Sequence, residues 1–356
     1  MAKIALITDT HWGARNDNMV FAEYFRNFYN SVFYPYLDEN RIHHVIHLGD
    51  IVDRRKYINY VTAKRMRSDF IDPIVERDIV LHAIIGNHDT FYKNTNEVNS
   101  MTEMYQDRYE KNIHIVSRPK EIEIDGCKIV LMPWICADTY EDSMKMINES
   151  SAQILFGHLE LRGFEMYRGQ AIDHGDDPAM FNRFDVVCSG HYHHRSSKGN
   201  IHYLGCPYEM TWSDYNDPKG FHVFDTDTRE LTFIPNPYRL FHKITYNDSA
   251  NDMDEALKIP EGSLEGTFIK IIVVNKSNPY WFDMFIDKIE KAGAQDIQVV
   301  EDHHNLNLED DGDIVDEAED TITIVKKYVD KFNLNVDKTE LNKVIQNLYN
   351  EALTVE

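Results

Sequence analysis

The sequence predicts an α/β fold with a second, smaller α+β unit, and three observations support this prediction. Apolar strands alternate with helical segments over residues 1–90, the pattern of parallel strands joined by crossover helices. Five apolar runs stop abruptly at Asp, Asn or His, as strands do where an α/β sheet presents its ligands. After Pro237, a strand at 268–274, a helix at 280–291 and a strand at 296–300 repeat the alternation on a smaller scale.

The first two strands end in acidic residues and a histidine. Residues 4–7 lead into Asp9-Thr10-His11, and residues 45–48 lead into Gly49-Asp50-Ile51-Val52-Asp53. Asp50 stands at the strand end, whereas Asp53 comes a turn later. We therefore expect Asp50 to be a metal ligand and Asp53 to lie behind the ligands.

The third strand, residues 79–85, ends in Gly86-Asn87-His88-Asp89. A helix over residues 61–75 precedes it, and we expect that helix to stop around Asp72-Pro73. A Gly-Asn turn after a strand is common, so this tetrapeptide alone is equally consistent with a simple turn. Together with the other strand ends, it makes Asn87, His88 and Asp89 candidates for chemistry.

The following region adds an antiparallel section and two more strand ends. Residues 122–124 and 127–132 flank Asp125-Gly126, which is typical of a β-hairpin. Residues 154–156 lead into Gly157-His158, and residues 186–187 lead into Gly190-His191-Tyr192-His193-His194. Alternation in an extended stretch turns His191 and His193 to the same side, while Tyr192 and His194 face elsewhere.

Basic residues near these strand ends are candidates for phosphate binding. Arg54, Arg55 and Lys56 follow Asp53, and arginine recognises phosphate through a planar fork of donors. A solvated loop is the alternative for this triplet. Lys93 lies in residues 92–100, a stretch rich in Lys, Asn, Thr and Ser that predicts a mobile loop next to the site.

An aromatic stripe follows the first strand. Its members recur at helical spacing, and we interpret the stripe as ordinary core, with a subunit interface as the alternative. The members are Phe21, Tyr24, Phe25, Phe28, Val32 and Tyr36.

Composition and charge exclude several protein classes. The net charge of −23, from 37 basic and 60 acidic residues, excludes a generally basic nucleic-acid binder, so any DNA contact requires a local surface or metal ions. No apolar run approaches the roughly 20 residues of a membrane span, which predicts a cytoplasmic protein. The four cysteines are widely spaced and form no paired motif, so we expect reduced thiols.

The C-terminal region differs in composition from the rest. Residues 301–320 contain ten acidic residues and no lysine or arginine, which predicts a solvated linker. Asp337 and Glu340 then resemble a capping box at the start of an amphipathic helix. That helix is expected either to dock on a partner or to pack back on the chain.

The set of candidate residues indicates a two-metal site. Aspartate, asparagine and histidine without cysteine suit manganese, iron or zinc better than a thiolate site would. A shared carboxylate can bridge two ions about 3.5–4 Å apart, and such a pair clamps the oxygens of a phosphoryl displacement and activates water. A nearby histidine that is not a ligand is the expected proton donor.

The five motifs resemble the calcineurin-like metallophosphoesterase superfamily. They are Asp-x-His, Gly-Asp-x-x-Asp, Gly-Asn-His-Asp, Gly-His and Gly-His-x-His, in this order over residues 9–193. Within it, Gly205-Cys206-Pro207, Trp212-Ser213-Asp214 and the strand–helix–strand unit resemble the nuclease subunits of SbcCD-type double-strand-break repair complexes and their bacteriophage counterparts.

The resemblance implies a β-sandwich flanked by helices, in α-β-β-α layers, and four regions of the chain. These are a nuclease domain over residues 1–238, a capping domain over 239–302, an acidic linker over 303–320 and a helical partner-binding region over 321–356. It also implies a homodimer and an SbcC-type ATPase with a coiled coil as partner.

The resemblance further implies roles for the motif residues. One ion would be held by Asp9, His11, Asp50 and His193, and the other by Asp50, Asn87, His158 and His191. His88 would be the proton donor, and Asp89 would orient the loop or a ligand. Some members have a histidine where Asp53 stands, which leaves a role of Asp53 toward DNA open.

The implied activity is manganese-dependent exonuclease and endonuclease cleavage of DNA in double-strand-break processing and recombination. Two alternatives remain at this point. One is a phosphomonoesterase or cyclic-nucleotide phosphodiesterase on the same fold. The other is a metal-bound scaffold that recruits the ATPase and cleaves nothing.

Overall fold

The computed structural model describes residues 2–249 and 257–301 and contains two six-stranded sheets beside a three-stranded one. In chain order the strands are β1 (Lys3–Ile7), β2 (His44–His47), β3 (Val80–Ile84), β4 (Ile113–Val116), β5 (Lys120–Ile124), β6 (Cys127–Met132), β7 (Ile154–His158), β8 (Glu165–Tyr167), β9 (Gln170–Ala171), β10 (Val186–Gly190), β11 (Ser196–Lys198), β12 (Ile201–Tyr203), β13 (Gly220–Asp225), β14 (Leu231–Pro235), β15 (Phe241–Asn247), β16 (Phe268–Asn275) and β17 (Asp296–Glu301).

Among the described residues, five main helical segments accompany the strands, besides the short helical turns Ala14–Asp17, Pro178–Phe181 and Trp212–Asp214. Helix α1 runs through Met19–Phe28, Tyr29–Phe33 and Tyr34–Asn40, and α2 runs through Tyr60–Met66, Arg67–Ile71 and Asp72–Glu76. The others are α3 (Ser100–Tyr105), α4 (Tyr140–Glu149) and α5 (Pro279–Lys291).

The two large sheets pack face to face. The first has the order β14-β13-β1-β2-β3-β4 and the second the order β11-β12-β10-β7-β6-β5. Residues of both sheets, such as Leu6, Ile46, Leu131 and Phe156, share one fully buried core between them. Helices α1 and α2 cover the outer face of the first sheet, and α4 covers that of the second. The predicted α/β fold with α-β-β-α layers is confirmed.

The aromatic stripe of α1 lies within this structure. Phe21, Phe25 and Phe28 are buried, and the Phe25 ring stacks on Tyr208 with centroids 3.8 Å apart. Tyr24, Val32 and Tyr36 are partly buried against the same core. The interpretation as ordinary core is confirmed for this stripe.

The predicted helix over residues 61–75 is confirmed as α2, but its expected stop around Asp72-Pro73 is wrong, because the helix continues to Glu76. A π-helical turn, Arg67–Ile71, comes directly before Pro73. This turn changes the hydrogen-bond pattern where the proline lacks an N–H, so the helix tolerates the proline. Helix α1 does the same, with the π-helical turn Tyr29–Phe33 ahead of Pro35.

The hairpin and the smaller α+β unit form where the sequence predicts them. Ile124 pairs with Cys127 across Asp125 and Gly126, whose positive φ values of 51° and 77° identify the tight turn. The smaller sheet β15-β16-β17 is parallel, and α5 packs on it through Phe282, Phe285 and Ile289. Strand β15 was not predicted, because lysine and histidine interrupt its apolar pattern.

The C-terminal predictions lie outside the described residues. These are the acidic linker at 303–320 and the helical region at 321–356. Within residues 2–249 and 257–301, no helix is long and apolar enough to cross a membrane.

Candidate metal centre

The predicted site residues meet at one edge of the sandwich. Strands β1, β2 and β3 of the first sheet end just before Asp9, Asp50 and Asn87. Strand β7 of the second sheet ends at His158, and β10 ends just before His191. Because these strands are parallel within each sheet, their carboxyl ends lie together, and the site takes side chains from both sheets.

The backbone at these strand ends is unusual. Asp9, His11, Asp50 and His191 have positive φ values of 51°, 42°, 53° and 85°, although none is glycine. The left-handed region costs an L-residue roughly 1–2 kcal/mol, and such residues cluster at functional sites. At these positions the left-handed turn directs the chain sharply out of the strand, so that side chains of different strands converge.

The first group of side chains contains Asp9, His11 and His193. The Nε2 atoms of His11 and His193 lie 3.1 Å apart, and the His193 Nε2 lies 4.0 Å from the Asp9 carboxylate. Two nitrogens that bind one ion at about 2.0–2.1 Å lie about 3 Å from each other. The spacing of the two imidazoles therefore fits a shared ion.

The second group contains Asp50, His158 and His191, with Asn87 beside them. His158 Nδ1 donates to the carbonyl oxygen of Leu48 at 2.7 Å, which leaves the Nε2 lone pair of the neutral ring directed at two oxygens. These are Asn87 Oδ1 at 2.9 Å and Asp50 Oδ2 at 3.3 Å. With the ring neutral, three acceptors face one point, which either a proton on Nε2 or a metal ion can occupy.

Asp50 faces both groups. Its Oδ2 lies 3.3 Å from His158 Nε2 and 4.0 Å from His11 Nε2, while its Oδ1 accepts a hydrogen bond from the His88 backbone N–H. Gly86 allows this approach, because a Cβ there would lie 2.3 Å from Asp50 Oδ1. Asp50 is therefore placed to serve two ions at once.

The charges of the site also favour a cation. Burial disfavours the charged form of His158, but without an ion the nearby Asp50 carboxylate outweighs it and raises the pKa of His158 to about 9. A bound metal ion would displace that proton from Nε2, because metal ligands must be deprotonated. For His191, burial and the neighbouring His158 outweigh the attraction of Asp50 and lower the pKa to about 3. Its Nε2 is buried and has no hydrogen-bond partner among the described residues, as expected of a nitrogen that serves as a metal ligand.

His88 and Asp53 lie beside the first group. His88 Nδ1 donates to the carbonyl oxygen of Asp53 at 2.6 Å, and its ring contacts that of His11 edge to face at 4.9 Å. Because Nδ1 is engaged, Nε2 is the atom of His88 that can exchange a proton. The Asp53 carboxylate lies 3.4 Å from His11 Nδ1, so Asp53 contacts a candidate ligand from behind.

Asp89 binds backbone rather than facing the two groups. It is fully buried, and it accepts hydrogen bonds from the N–H groups of Ile51, Val52 and Gly86 at 2.8–3.0 Å. Burial raises the pKa of Asp89 to about 6. Asp89 thus holds the turns after β2 and β3 together.

The basic residues near the site differ from one another. Arg54 is bonded to Asp17, Asn16 and Tyr57. Arg55 instead has a buried Nη1 without a hydrogen-bond partner in the part of the chain that the structure describes. Lys56 and Lys93 are exposed.

The predicted mobile loop that carries Lys93 is tied down at several points. Asp138 N–H donates to the Asn94 carbonyl at 3.1 Å, and Asn96 Nδ2 donates to the Trp134 carbonyl at 2.8 Å. The N–H of Ser100 bonds to the Asp89 carbonyl at 2.8 Å. Two of these bonds join backbone groups and one uses the Asn96 side chain, so the segment is fastened to its surroundings at these points. Its mobility stays a prediction.

Glu160 is a further residue at the site. Its Oε1 lies 4.0 Å from His191 Nε2 and 3.2 Å from His174 Nε2. The signal in the sequence was its position two residues after His158, since alternate residues of an extended stretch face the same way.

Comparisons with known proteins agree with this geometry. The sequence profile of the calcineurin-like phosphoesterase family matches residues 2–195. Exonuclease subunit 1 of Enterobacteria phage T4 is 34% identical over 280 residues, which span 74% of this chain and 79% of that protein. The SbcD component of the SbcCD nuclease of Staphylococcus epidermidis is 24% identical over 238 residues, which span 58% of this chain and 59% of that protein.

A solved structure described as a novel archaeal phosphodiesterase aligns with 66% of this chain and 99% of its own at 15% identity. The TM-score of this alignment is 0.34. The profile match spans more than half of the chain and contains every residue of the two side-chain groups. The chain therefore belongs to the calcineurin-like phosphoesterase family.

Proposed function

We propose that this chain is a two-metal DNA nuclease that hydrolyses phosphodiester bonds during double-strand-break processing and recombination. The observation that carries the proposal is the pair of side-chain groups joined at Asp50, at distances of 3.1–4.0 Å. The two relatives, both of them named as components of nucleases, support DNA as the substrate.

The proposed ligands divide into two sets that share one residue. Asp9, His11, Asp50 and His193 would hold one divalent ion, and Asp50, Asn87, His158 and His191 would hold the other. Oxygen and imidazole donors without thiolate suit manganese, iron or zinc. Of these we propose manganese, the ion that the family resemblance implies. Bound ions supply the Lewis-acid chemistry that activates water and clamps the phosphate oxygens.

The other residues of the site donate a proton or hold a neighbouring group in position. His88 gives a proton from Nε2 to the leaving oxygen, while the Asp53 carbonyl fixes its ring at 2.6 Å. The Asp53 carboxylate orients His11 from 3.4 Å, as carboxylates commonly orient metal-binding histidines. Asp89 keeps the turns that carry Asp50 and Asn87 in place through its three backbone hydrogen bonds.

The DNA backbone would meet the basic residues at the rim of the site. Arg55 is the strongest candidate, because a phosphate would satisfy its buried and unpartnered Nη1. Lys56 and Lys93 are exposed and would add positive charge. Arg54 forms an ion pair with Asp17, so its main role is to anchor the loop.

The proposed setting is a complex inside a bacterial or phage-infected cell. SbcD is by its name one component of the SbcCD nuclease, which supports an SbcC-type ATPase with a coiled coil as the partner of this chain. We place the nuclease domain at residues 1–238, the capping domain at 239–302, the linker at 303–320 and the partner-binding region at 321–356. A homodimer completes the proposal.

The test uses the purified full chain with labelled single- and double-stranded DNA and a chromogenic phosphomonoester. Manganese, magnesium and chelator are compared, and His88→Ala is assayed beside His202→Ala, a half-buried histidine on β12 that bonds Ser197. We expect manganese-dependent DNA cleavage that falls about 100- to 10,000-fold in His88→Ala, the usual loss with a general acid, at unchanged metal content.

Other outcomes point elsewhere. Phosphomonoester turnover with intact DNA would identify a phosphatase, and loss of metal from His88→Ala would make His88 a ligand. If neither substrate is cleaved even when the ATPase is added, the chain is a scaffold.

A further inference from the structure

A buried lysine contacts the segment that carries His193. Lys219 is only 3% exposed, and its Nζ donates a hydrogen bond to the His193 carbonyl oxygen at 2.8 Å. Asp214 Oδ1 at 2.7 Å and Asp217 Oδ2 at 2.8 Å flank the same nitrogen. The ammonium therefore joins two carboxylates to the backbone of a candidate ligand.

A buried cluster of this kind contributes little net stability to a fold. Removing an ammonium and two carboxylates from water costs several kcal/mol per ion, and apolar side chains of similar volume often stabilise a core as well. A charge-assisted hydrogen bond to a carbonyl, in contrast, fixes the position of that carbonyl closely. The arrangement is thus suited to specifying where the His193 backbone lies.

The surrounding bonds extend the same constraint. Asp217 Oδ1 lies 3.0 Å from His194 Nδ1, and Cys206 N–H donates to the His193 carbonyl at 3.3 Å. Asp214 Oδ2 accepts from the N–H groups of Met210 and Thr211 at 2.9 Å. The segment that includes Trp212-Ser213-Asp214 is thereby fixed to the turn after β10.

We propose that Lys219 is a positioning residue that sets the affinity for the ion between Asp9, His11 and His193. By holding the His193 carbonyl, it keeps the Nε2 atom of His193 3.1 Å from that of His11. The ion between Asp50, His158 and His191 does not depend on this bond to the same extent. The inference rests on the proposed metal centre.

The test measures manganese binding to the full, chelator-stripped chain by titration calorimetry. In Lys219→Met we expect one of two binding steps to weaken at least tenfold, because residues that support metal ligands commonly contribute 10–100-fold to affinity. The matched control is Lys270→Met, which removes another buried ammonium, one that lies over the Trp212 ring 4.6 Å from its centroid. We expect Lys270→Met to lower the melting temperature and leave both binding steps within twofold.

Asp217→Asn provides a second variant that keeps the Lys219–Asp214 pair, in case Lys219→Met does not fold. It should weaken the same binding step, by roughly threefold or more. If these variants lower the melting temperature while both steps stay within twofold, or if both steps weaken equally, the positioning role is overturned. If the unaltered chain binds no pair of ions, the metal centre itself is wrong and the inference falls with it.

Discussion

Neighbouring residues with the same chemistry can have different roles, as Arg54 and Arg55 show. The guanidinium of Arg54 is bonded to Asp17, whereas Arg55 Nη1 is buried without a partner among residues 2–249 and 257–301. An unsatisfied buried donor costs about 1–3 kcal/mol, so a ligand that accepts from it gains that energy on binding.

Replacing Arg55 tests this difference. We expect Arg55→Gln to raise the KM for DNA about 10-fold or more, since a hydrogen bond to a charged group contributes about 1.5–3 kcal/mol. Turnover at saturating DNA should change little, because the residue binds the backbone rather than the reacting bond. Steady-state cleavage assays at fixed salt measure both values.

The control for Arg55 is Arg118→Gln. Arg118 is an exposed arginine already paired with Asp138 and Asp142, so its replacement should leave the KM unchanged. An equal rise of KM in both variants would indicate a general charge effect and would contradict a specific phosphate contact.

At this scale the sequence predicted which side chains the structure brings together at the candidate centre, but not all of their contacts. Asp9, Asp50 and Asn87 were found because strand ends are readable from short apolar runs. The distinction between Arg54 and Arg55 depends on Asp17, whose position relative to them comes from the fold. Glu160 was visible in the sequence, yet only the structure brings it 4.0 Å from His191.

Strands β2, β3 and β4 each carry a histidine away from the strand ends that form the site. His82 on β3 is directly opposite His114 on β4, with ring centroids 5.1 Å apart, and His44 lies on β2. Burial, together with His114 and His44, lowers the pKa of His82 to about 3. The folded chain therefore keeps this ring neutral at pH values where the unfolded chain protonates it.

The shift predicts acid sensitivity with a definite sign. Between pH 6.5 and about 3 the unfolded state binds the proton more tightly than the folded state. As the pH falls through this range, His82 therefore lowers the free energy of unfolding by about 1.4 kcal/mol per pH unit. We expect His82→Gln to flatten this dependence. Urea unfolding at several pH values, with chelator present so that metal release does not contribute, measures the slope.

The exposed His43→Gln provides the comparison for His82→Gln, because it removes a neighbouring histidine that is not buried. If His82→Gln retains the slope of the unaltered chain, the acid sensitivity arises elsewhere.

Helices, strands and turns were predictable where residues close in sequence determine them. The hairpin at Asp125-Gly126 and helix α5 follow directly from turn chemistry and helical periodicity. The continuation of α2 through Pro73 depends on a π-helical turn, for which the sequence carries no simple signal. Strand β15 forms because β16 offers a parallel partner in register, which a local pattern does not reveal.

The whole molecule carries a net charge of −23, yet its proposed substrate is a polyanion. Long-range attraction to DNA is therefore absent, and contacts must come from the ions and a few basic side chains. A partner that holds the DNA would compensate for the missing attraction. The net charge is therefore a physical reason to expect the proposed ATPase partner.

Deleting residues 337–356 tests that association. The sequence predicts an amphipathic helix there, and its loss should weaken capture of an SbcC-type ATPase at least tenfold, because the apolar face supplies the buried contact area. Cleavage of a short single strand by the nuclease alone should stay unchanged. Surface binding assays with immobilised ATPase measure the first value, and unchanged capture would contradict the proposal.

The arrangement of the centre has a consequence for biosynthesis. Asp9 and His11 stand near the start of the chain, and His193 follows His11 by 182 residues. A growing polypeptide, or a product of premature termination before His191, contains only part of each proposed ligand set. Because each set takes side chains from both sheets, neither set is assembled until strands of both sheets have been translated and have packed together. A chain that ends before His191 would therefore be harmless to the DNA of the cell that makes it.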